Sequence, residues 1–233
     1  MKLLKGFASV LTATLAGLAA AEEAPRLSLQ STSDFASYGA FYTDLTALYS
    51  PFGTLWEPGW RVEGIASARR YSFVEDGQKR VGLDATLDLL AGYQFTPNGW
   101  SWLVAAGVTG VNSHVYAAPG LPRSDAQLYG LKVLTSLYGK PTDHTMVYVQ
   151  AHYNTASEFY YAQGKTGIAI APNIFVGPEA AYSGSWTYNQ LRLGGHITGF
   201  TVGSMNTGVS LGYVSDSNYG KGVYGGLNFQ INF

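Results

Sequence analysis

The sequence predicts an all-β fold, a transmembrane antiparallel up-and-down β-barrel of twelve strands, and three observations predict it. First, the last eleven residues alternate. Val223, Leu227, Phe229, Ile231 and Phe233 share one face, interrupted only by Gly225, while Tyr224, Gly226, Asn228, Gln230 and Asn232 share the other. That period of two describes a strand with one apolar and one wet side. Second, the same alternation recurs along the chain. Third, charged residues make up 12% of the chain, against roughly 25% in soluble domains, yet the mean hydropathy is only +0.02. Membrane helices would raise that mean, whereas alternation averages it away.

Taken from the front, residues 1–21 read as a signal peptide and 22–233 as one barrel domain. Lys2 and Lys5 begin the leader, Phe7 to Ala20 form its apolar run, and Ala19 and Ala21 fit a small-x-small cleavage site. The run is short of the roughly 20 residues a membrane helix needs. No cysteine is present, so neither a lipidated cysteine nor a disulfide is available. The net charge of −1 gives nucleic acid no reason to bind.

The strands follow in order. The first, 26–33, has Leu27 and Leu29 and then polar residues, a poor pattern; ten strands remain if it and its neighbour (38–50) stay out of the wall. The third covers 59–73. In the fourth, 82–96, Leu83, Ala85, Leu87, Leu89, Ala91, Tyr93 and Phe95 oppose Asp84, Thr86, Asp88, Gly92 and Gln94. A charge at mid-depth on a lipid face would cost roughly 2–4 kcal/mol, so Asp84 and Asp88 fix which face is inward. The fifth, 100–113, puts Trp100, Trp102, Val104, Ala106 and Val108 on one face, with Leu103 an exception on the other. The sixth and seventh cover 126–138 and 144–155, the latter with Val147, Val149, Ala151 and Tyr153 opposed to Tyr148, Gln150, His152 and Asn154. The eighth and ninth cover 159–170 and 174–182. Leu191, Leu193 and Ile197 oppose Gln190, Arg192 and His196 in the tenth, 188–199. The eleventh and twelfth cover 204–215 and 222–233. Trp60, Tyr93, Phe95, Trp100 and Tyr153 sit near strand ends, as interfacial girdles require.

Connections alternate in kind. Thr96-Pro97-Asn98-Gly99, Gly139 to Asp143 and Ala171-Pro172-Asn173 carry tight-turn residues. Counting back from Phe233, all three fall on the side of the termini, the periplasmic side of an outer-membrane barrel. Longer links at Glu75 to Arg80, His114 to Ala126, Ser183 to Thr187 and Ser215 to Gly222 fall on the other. Leu227, Phe229, Ile231 and the terminal Phe233 form the candidate C-terminal signal for the barrel insertion machinery.

Several blocks carry a likeness. Phe159-Tyr160-Tyr161-Ala162, Gly177-Pro178-Glu179-Ala180 and Tyr188-Asn189-Gln190-Leu191-Arg192-Leu193-Gly194 resemble, in order and spacing, the cellulose biosynthesis protein BcsS family. Leu48-Tyr49-Ser50-Pro51-Phe52-Gly53 resembles its first hairpin and Gly92-Tyr93-Gln94-Phe95 its middle one. The likeness covers residues 38–233, and the region before Phe35 departs from it. The resemblance implies a small outer-membrane barrel of a Gram-negative bacterium, associated with production of cellulose, an exopolysaccharide. It implies no catalytic residue.

Alternation aims a polar set at the lumen: Arg61, Glu63, Asp84, Asp88, Lys132, His152, Lys165, Glu179, Arg192 and His196, with Gln150, Gln163 and Gln190. Charges of both signs in so narrow a space must pair, and Glu179 and Arg192, on consecutive strands, are a candidate pair. This set reads either as a constriction for a polar solute or glucan or as a network that holds the wall; the second needs no ligand. Tyr138, Tyr148 and Tyr161 are candidate inward rings on which a sugar could stack. No Gly-x-Ser-x-Gly elbow accompanies the histidines, and no residue group has metal-site spacing. The expectation is a non-catalytic accessory barrel for cellulose biosynthesis, secretion or surface anchoring, without cofactor or metal. Its partners would be outer-membrane lipid, the insertion machinery and cellulose or cellulose-secretion components. A small-solute channel and a lipid-active hydrolase are the alternatives; the hydrolase would place a serine or carboxylate beside His152 or His196.

Overall fold

A computed structural model describes residues 24–75, 78–116, 124–186 and 188–233. The expected leader lies outside the described residues, as does most of the expected 114–126 link. The strands are β1 (Leu27–Ala36), β2 (Phe41–Tyr49), β3 (Gly59–Glu75), β4 (Gln78–Phe95), β5 (Trp100–Tyr116), β6 (Ser124–Thr142), β7 (Thr145–Asn154), β8 (Phe159–Ala171), β9 (Ile174–Ser185), β10 (Tyr188–Val202), β11 (Met205–Asp216) and β12 (Gly220–Asn232). Each pairs antiparallel with its neighbours in sequence, and β1 pairs with β12 to close the barrel. Twelve strands therefore form the wall, and the ten-strand alternative falls. Among the described residues no helix is long and apolar enough to cross a membrane.

β1 begins and β12 ends at the same end of the barrel, here the terminal end; the opposite end is the distal one. Phe233 seals the seam, its carbonyl accepting from the backbone N–H of Leu27 at 3.0 Å while its own N–H donates to the Leu27 carbonyl at 2.8 Å. Residues of special backbone freedom make the terminal turns. Asn98 and Gly99 have φ of 50° and 80°, and Asn173, after Pro172, has φ of 62°, the left-handed region in which Asn and Gly are tolerated. The expected turn from Gly139 to Asp143 is shorter than its sequence suggests. β6 runs on to Thr142, and its register with β7 shifts between Gly139 and Thr142, around Pro141, which has no N–H to give the ladder.

One connection overturns the expected asymmetry. The longest that is fully described, 50–58, joins β2 to β3 at the terminal end, where tight turns were expected. It is long because it folds inward. Leu55 is buried, its N–H donating to the Pro25 carbonyl at 2.8 Å. Its carbonyl accepts from the inward-facing Gln94 amide at 2.8 Å.

The outer surface is apolar and exposed on every side: Leu87 and Leu89 on β4, Val108 on β5, Leu131 on β6, Leu193 on β10, Leu211 on β11 and Leu227 on β12. Contiguous apolar exposure of this extent is foreign to a soluble monomer and suits a strand wall facing lipid. Near the terminal end the rings of Trp60, Tyr93, Phe95 and Trp102 touch in series, with centroids 5.8, 4.9 and 5.6 Å apart. The interior is not wholly polar. Ile65, Leu90, Leu103, Ala105 and Leu134 form a buried cluster with Leu48 beside it, which explains why Leu103 broke the outward pattern.

Candidate functional site

The polar lumen begins at the terminal mouth. Arg61, on β3, is 1% exposed. Its guanidinium donates to the carbonyls of Glu57 at 2.6 Å, Trp60 at 2.8 Å and Thr54 at 3.1 Å, and to Gln94 Oε1 and Ser50 Oγ, both at 3.1 Å. A single buried cation thus holds the 50–58 connection from inside. Arg26 holds it from the N-terminal side, donating to the carbonyls of Pro51 and Gly53 at 2.9 and 3.0 Å.

Deeper in, Lys132 of β6 reaches over β5 to Asp88 of β4, Nζ to Oδ2 2.5 Å, with side chains 8% and 1% exposed. Removing one partner of so buried a pair costs about 3–5 kcal/mol, because the other charge is stranded. Asp84 accepts from Arg69 at 2.7 Å. The Arg69 guanidinium also lies 4.7 Å from the centroid of the Phe159 ring on β8, so β3 and β8 meet across the lumen.

The expected Glu179–Arg192 pair does not form. Lys165 stands directly opposite Glu179 in the β8–β9 ladder, whereas Arg192 stands opposite Ala181, one inward step away. Glu179 pairs with Lys165 at 3.1 Å and accepts from the hydroxyls of Tyr224 at 2.6 Å and Ser210 at 2.8 Å. Tyr224 lies against the wall, where a side chain at Gly212 would strike its ring and one at Gly194 its hydroxyl. Arg192 turns instead to Asp34 of β1, at 2.7 Å. Toward the distal end, Gln190 donates to the Tyr38 hydroxyl at 2.7 Å, and that hydroxyl donates to Asp216 at 3.0 Å. Tyr38, in the β1–β2 connection, stacks on Tyr219 with centroids 4.8 Å apart. Burial, with Asp216 alongside, pushes the Tyr38 phenol well above its ordinary pKa.

The two inward histidines both make contacts within the wall. His196 Nε2 lies 3.1 Å from the Thr166 carbonyl and Nδ1 lies 3.4 Å from the Thr198 hydroxyl. His152 stacks on Tyr161 at 5.3 Å, and its Nδ1 is buried without a hydrogen-bond partner. Glu63 Oε2 and Asp88 Oδ1 are likewise buried and unpartnered. Each such atom costs roughly 1–3 kcal/mol if nothing satisfies it. Among the described residues no three metal-ligating side chains group together.

Several lumen residues escaped sequence reading: Asp34 and Asp44 on β1 and β2, Arg69 on β3, and Tyr224. Asp34 and Asp44 carried a signal, a lone carboxylate at an inward position of each strand, but it was hidden by those strands' weak alternation. The three candidate rings share the lumen side. Tyr148 and Tyr161 are half-buried on β7 and β8, and Tyr138 of β6 stands directly opposite Tyr148 in the ladder but is more exposed, near the terminal mouth.

A family model described as cellulose biosynthesis protein BcsS matches residues 30–233. Among solved structures, the translocator domain of the autotransporter NalP from Neisseria meningitidis is similar at 12% identity and a TM-score of 0.53, covering 99% of this chain and 96% of that one. A KdgM porin is similar at 11% identity and a TM-score of 0.50, covering 88% and 99%. At these identities the likeness is one of fold. No curated protein matches.

Proposed function

The chain belongs to the cellulose biosynthesis protein BcsS family, and on that premise we propose that it is a non-catalytic outer-membrane barrel accessory to cellulose secretion, holding the polymer at the cell surface. Residues 1–21 would export it as a signal peptide. Leu227, Phe229, Ile231 and Phe233 would present the C-terminal strand to the insertion machinery, and the terminal end would face the periplasm.

The observation that carries the preference for holding over free conduction is the obstructed lumen. Arg61 and Gln94 draw the 50–58 connection inward at one mouth. Arg69 meets Phe159 across the interior farther along. A cellulose chain is about one sugar wide, and a tube so crossed does not give it open passage. The contacts of His152 and His196 support the non-catalytic reading, because among the described residues neither has a serine or carboxylate in hydrogen-bonding position. The polar network then acts first as bracing for the wall.

The test is a clean deletion strain in which surface cellulose and total glucan are measured together. Persistent synthesis with reduced surface cellulose, restored by complementation, is the expected result. Unchanged surface cellulose removes the proposal, and conductance and lipid-hydrolysis assays then take precedence.

A further inference from the structure

The lumen is sealed unevenly. On the β3–β6 side, the Ile65, Leu90, Leu103, Ala105 and Leu134 cluster excludes water. On the other side, Tyr42 of β2, Tyr148 and His152 of β7, Tyr161 of β8 and Arg192 of β10 also face inward but are only half-buried. A water-accessible crevice therefore runs inside the wall, walled by rings on β2, β7 and β8.

Two further observations define what fits it. Asp34, Asp84, Asp88 and Glu179 each have a cation within ion-pair distance. Asp44 and Glu63 have none among the described residues: Asp44 accepts only from the Thr32 N–H at 3.1 Å and the Tyr42 hydroxyl at 2.9 Å. Glu63 is 8% exposed, and its Oε2 has no partner at all. Both carboxylates lie within electrostatic reach of the Tyr148 hydroxyl. Neither carboxylate offers a polyanion a cation to meet, since Lys132, the cation within electrostatic reach of both, is taken up by Asp88. A divalent cation would want a third ligand, and among the described residues no such group exists.

Stacking rings beside buried hydrogen-bond acceptors with open positions match a neutral sugar, whose ring faces are apolar and whose rim is all hydroxyl. We propose that this crevice binds a short segment of neutral glucan, with Tyr148 and Tyr161 against sugar faces and Glu63 Oε2 and His152 Nδ1 taking sugar hydroxyls. This rests on the cellulose-holding reading above and gives it a place in the molecule. The braces that deny a free tube leave room at the side for a held chain end.

The experiment is calorimetric titration of the full mature barrel, refolded in detergent, with cellohexaose and, separately, with hexagalacturonate. Glu63→Gln and Tyr148→Ala variants are titrated in parallel, each first shown folded by its heat-dependent gel shift. The expected result is saturable binding of cellohexaose, none of hexagalacturonate, and at least a tenfold weaker Kd in each variant. Absence of cellohexaose binding overturns the proposal, as does equal affinity in the wild type and both variants. Should Tyr148→Ala fail to fold, Glu63→Gln, which keeps shape and removes the charge, decides alone. The deletion strain separates the two ideas. Reduced surface cellulose without cellohexaose binding leaves the holding role and sinks this site; binding without a deletion phenotype does the reverse.

Discussion

Arg192 Nη1 lies 2.7 Å from Asp34 Oδ2, although 158 residues separate them in sequence. The pair ties β10 to β1 across two intervening strands of the closed wall. It also places a charged brace behind the β1–β12 seam, the one junction that no hairpin turn holds together.

Removal of that brace loosens the seam. Arg192→Ala is expected to lower the unfolding free energy by about 3 kcal/mol, because Asp34 keeps its charge in a confined site. Asp34→Ala with Arg192→Ala should cost less than the sum of the two single changes. Urea unfolding followed by tryptophan fluorescence measures both, and strict additivity would deny the coupling.

Lys132 and Asp88 make a sharper case, since both are nearly sealed from water. Lys132→Met leaves Asp88 stranded and is expected to cost about 3–5 kcal/mol. Adding Asp88→Leu should recover most of the loss, because a well-packed apolar pair replaces the ion pair. No recovery in the double variant would mean that the network contributes more than mutual neutralisation.

Arg61 is the latch of the 50–58 connection. With Arg61→Ala, six hydrogen-bond acceptors lose this donor together. Faster proteolysis within residues 50–58 and a rise in single-channel conductance in planar bilayers are the expected outcomes. A variant whose loop and conductance match the wild type would show that Arg26 and Gln94 suffice.

Alkaline stability should depend on Tyr38. Its pKa is raised in the folded barrel by burial beside Asp216, so the folded state favours the protonated phenol. The resulting stability is complete below the ordinary phenol range, near pH 10, and is lost as pH rises above it toward the folded pKa. Wild-type protein should therefore lose more stability than Tyr38→Phe between about pH 10 and 12, as read by thermal melts at each pH. Parallel profiles would place the alkaline loss elsewhere.

The C-terminal face makes a prediction about assembly in cells. Phe233→Ala is expected to reduce the amount of heat-shifted barrel in outer-membrane fractions severalfold while leaving refolding in detergent nearly intact. Equal loss in both settings would mean that Phe233 matters for stability alone.

Most of the wall was legible because lipid enforces one rule at every outward position of a long strand: β4, with Leu83 to Phe95 on one side and Asp84 to Gln94 on the other, obeys it throughout. β1 was hard to read because it breaks that rule locally. Its outward Ser31 and Ser33 place hydroxyls on the apolar side, and each is satisfied within the wall, Ser31 by the Asp44 carbonyl and Ser33 by the Thr43 hydroxyl, both at 2.9 Å. The pairing inside was less legible. Alternation says that Glu179 and Arg192 point inward but not which charge each meets; that depends on strand offset, which puts Lys165 opposite Glu179. The inward 50–58 connection was hidden for a similar reason, since its determinant, Arg61, acts on carbonyls that carry no side-chain signature.

The β1–β12 pairing also sets an order in time. Synthesis from the N-terminus delivers β1 first, and the partner that completes the wall is the last to arrive. Until then β1 carries an unpaired edge, the kind of template on which chains stick to one another. Its run of Gln30, Ser31, Thr32, Ser33 and Asp34 is poorly suited to such sticking. The strand that looked least like part of a membrane wall is thus the one suited to waiting in water.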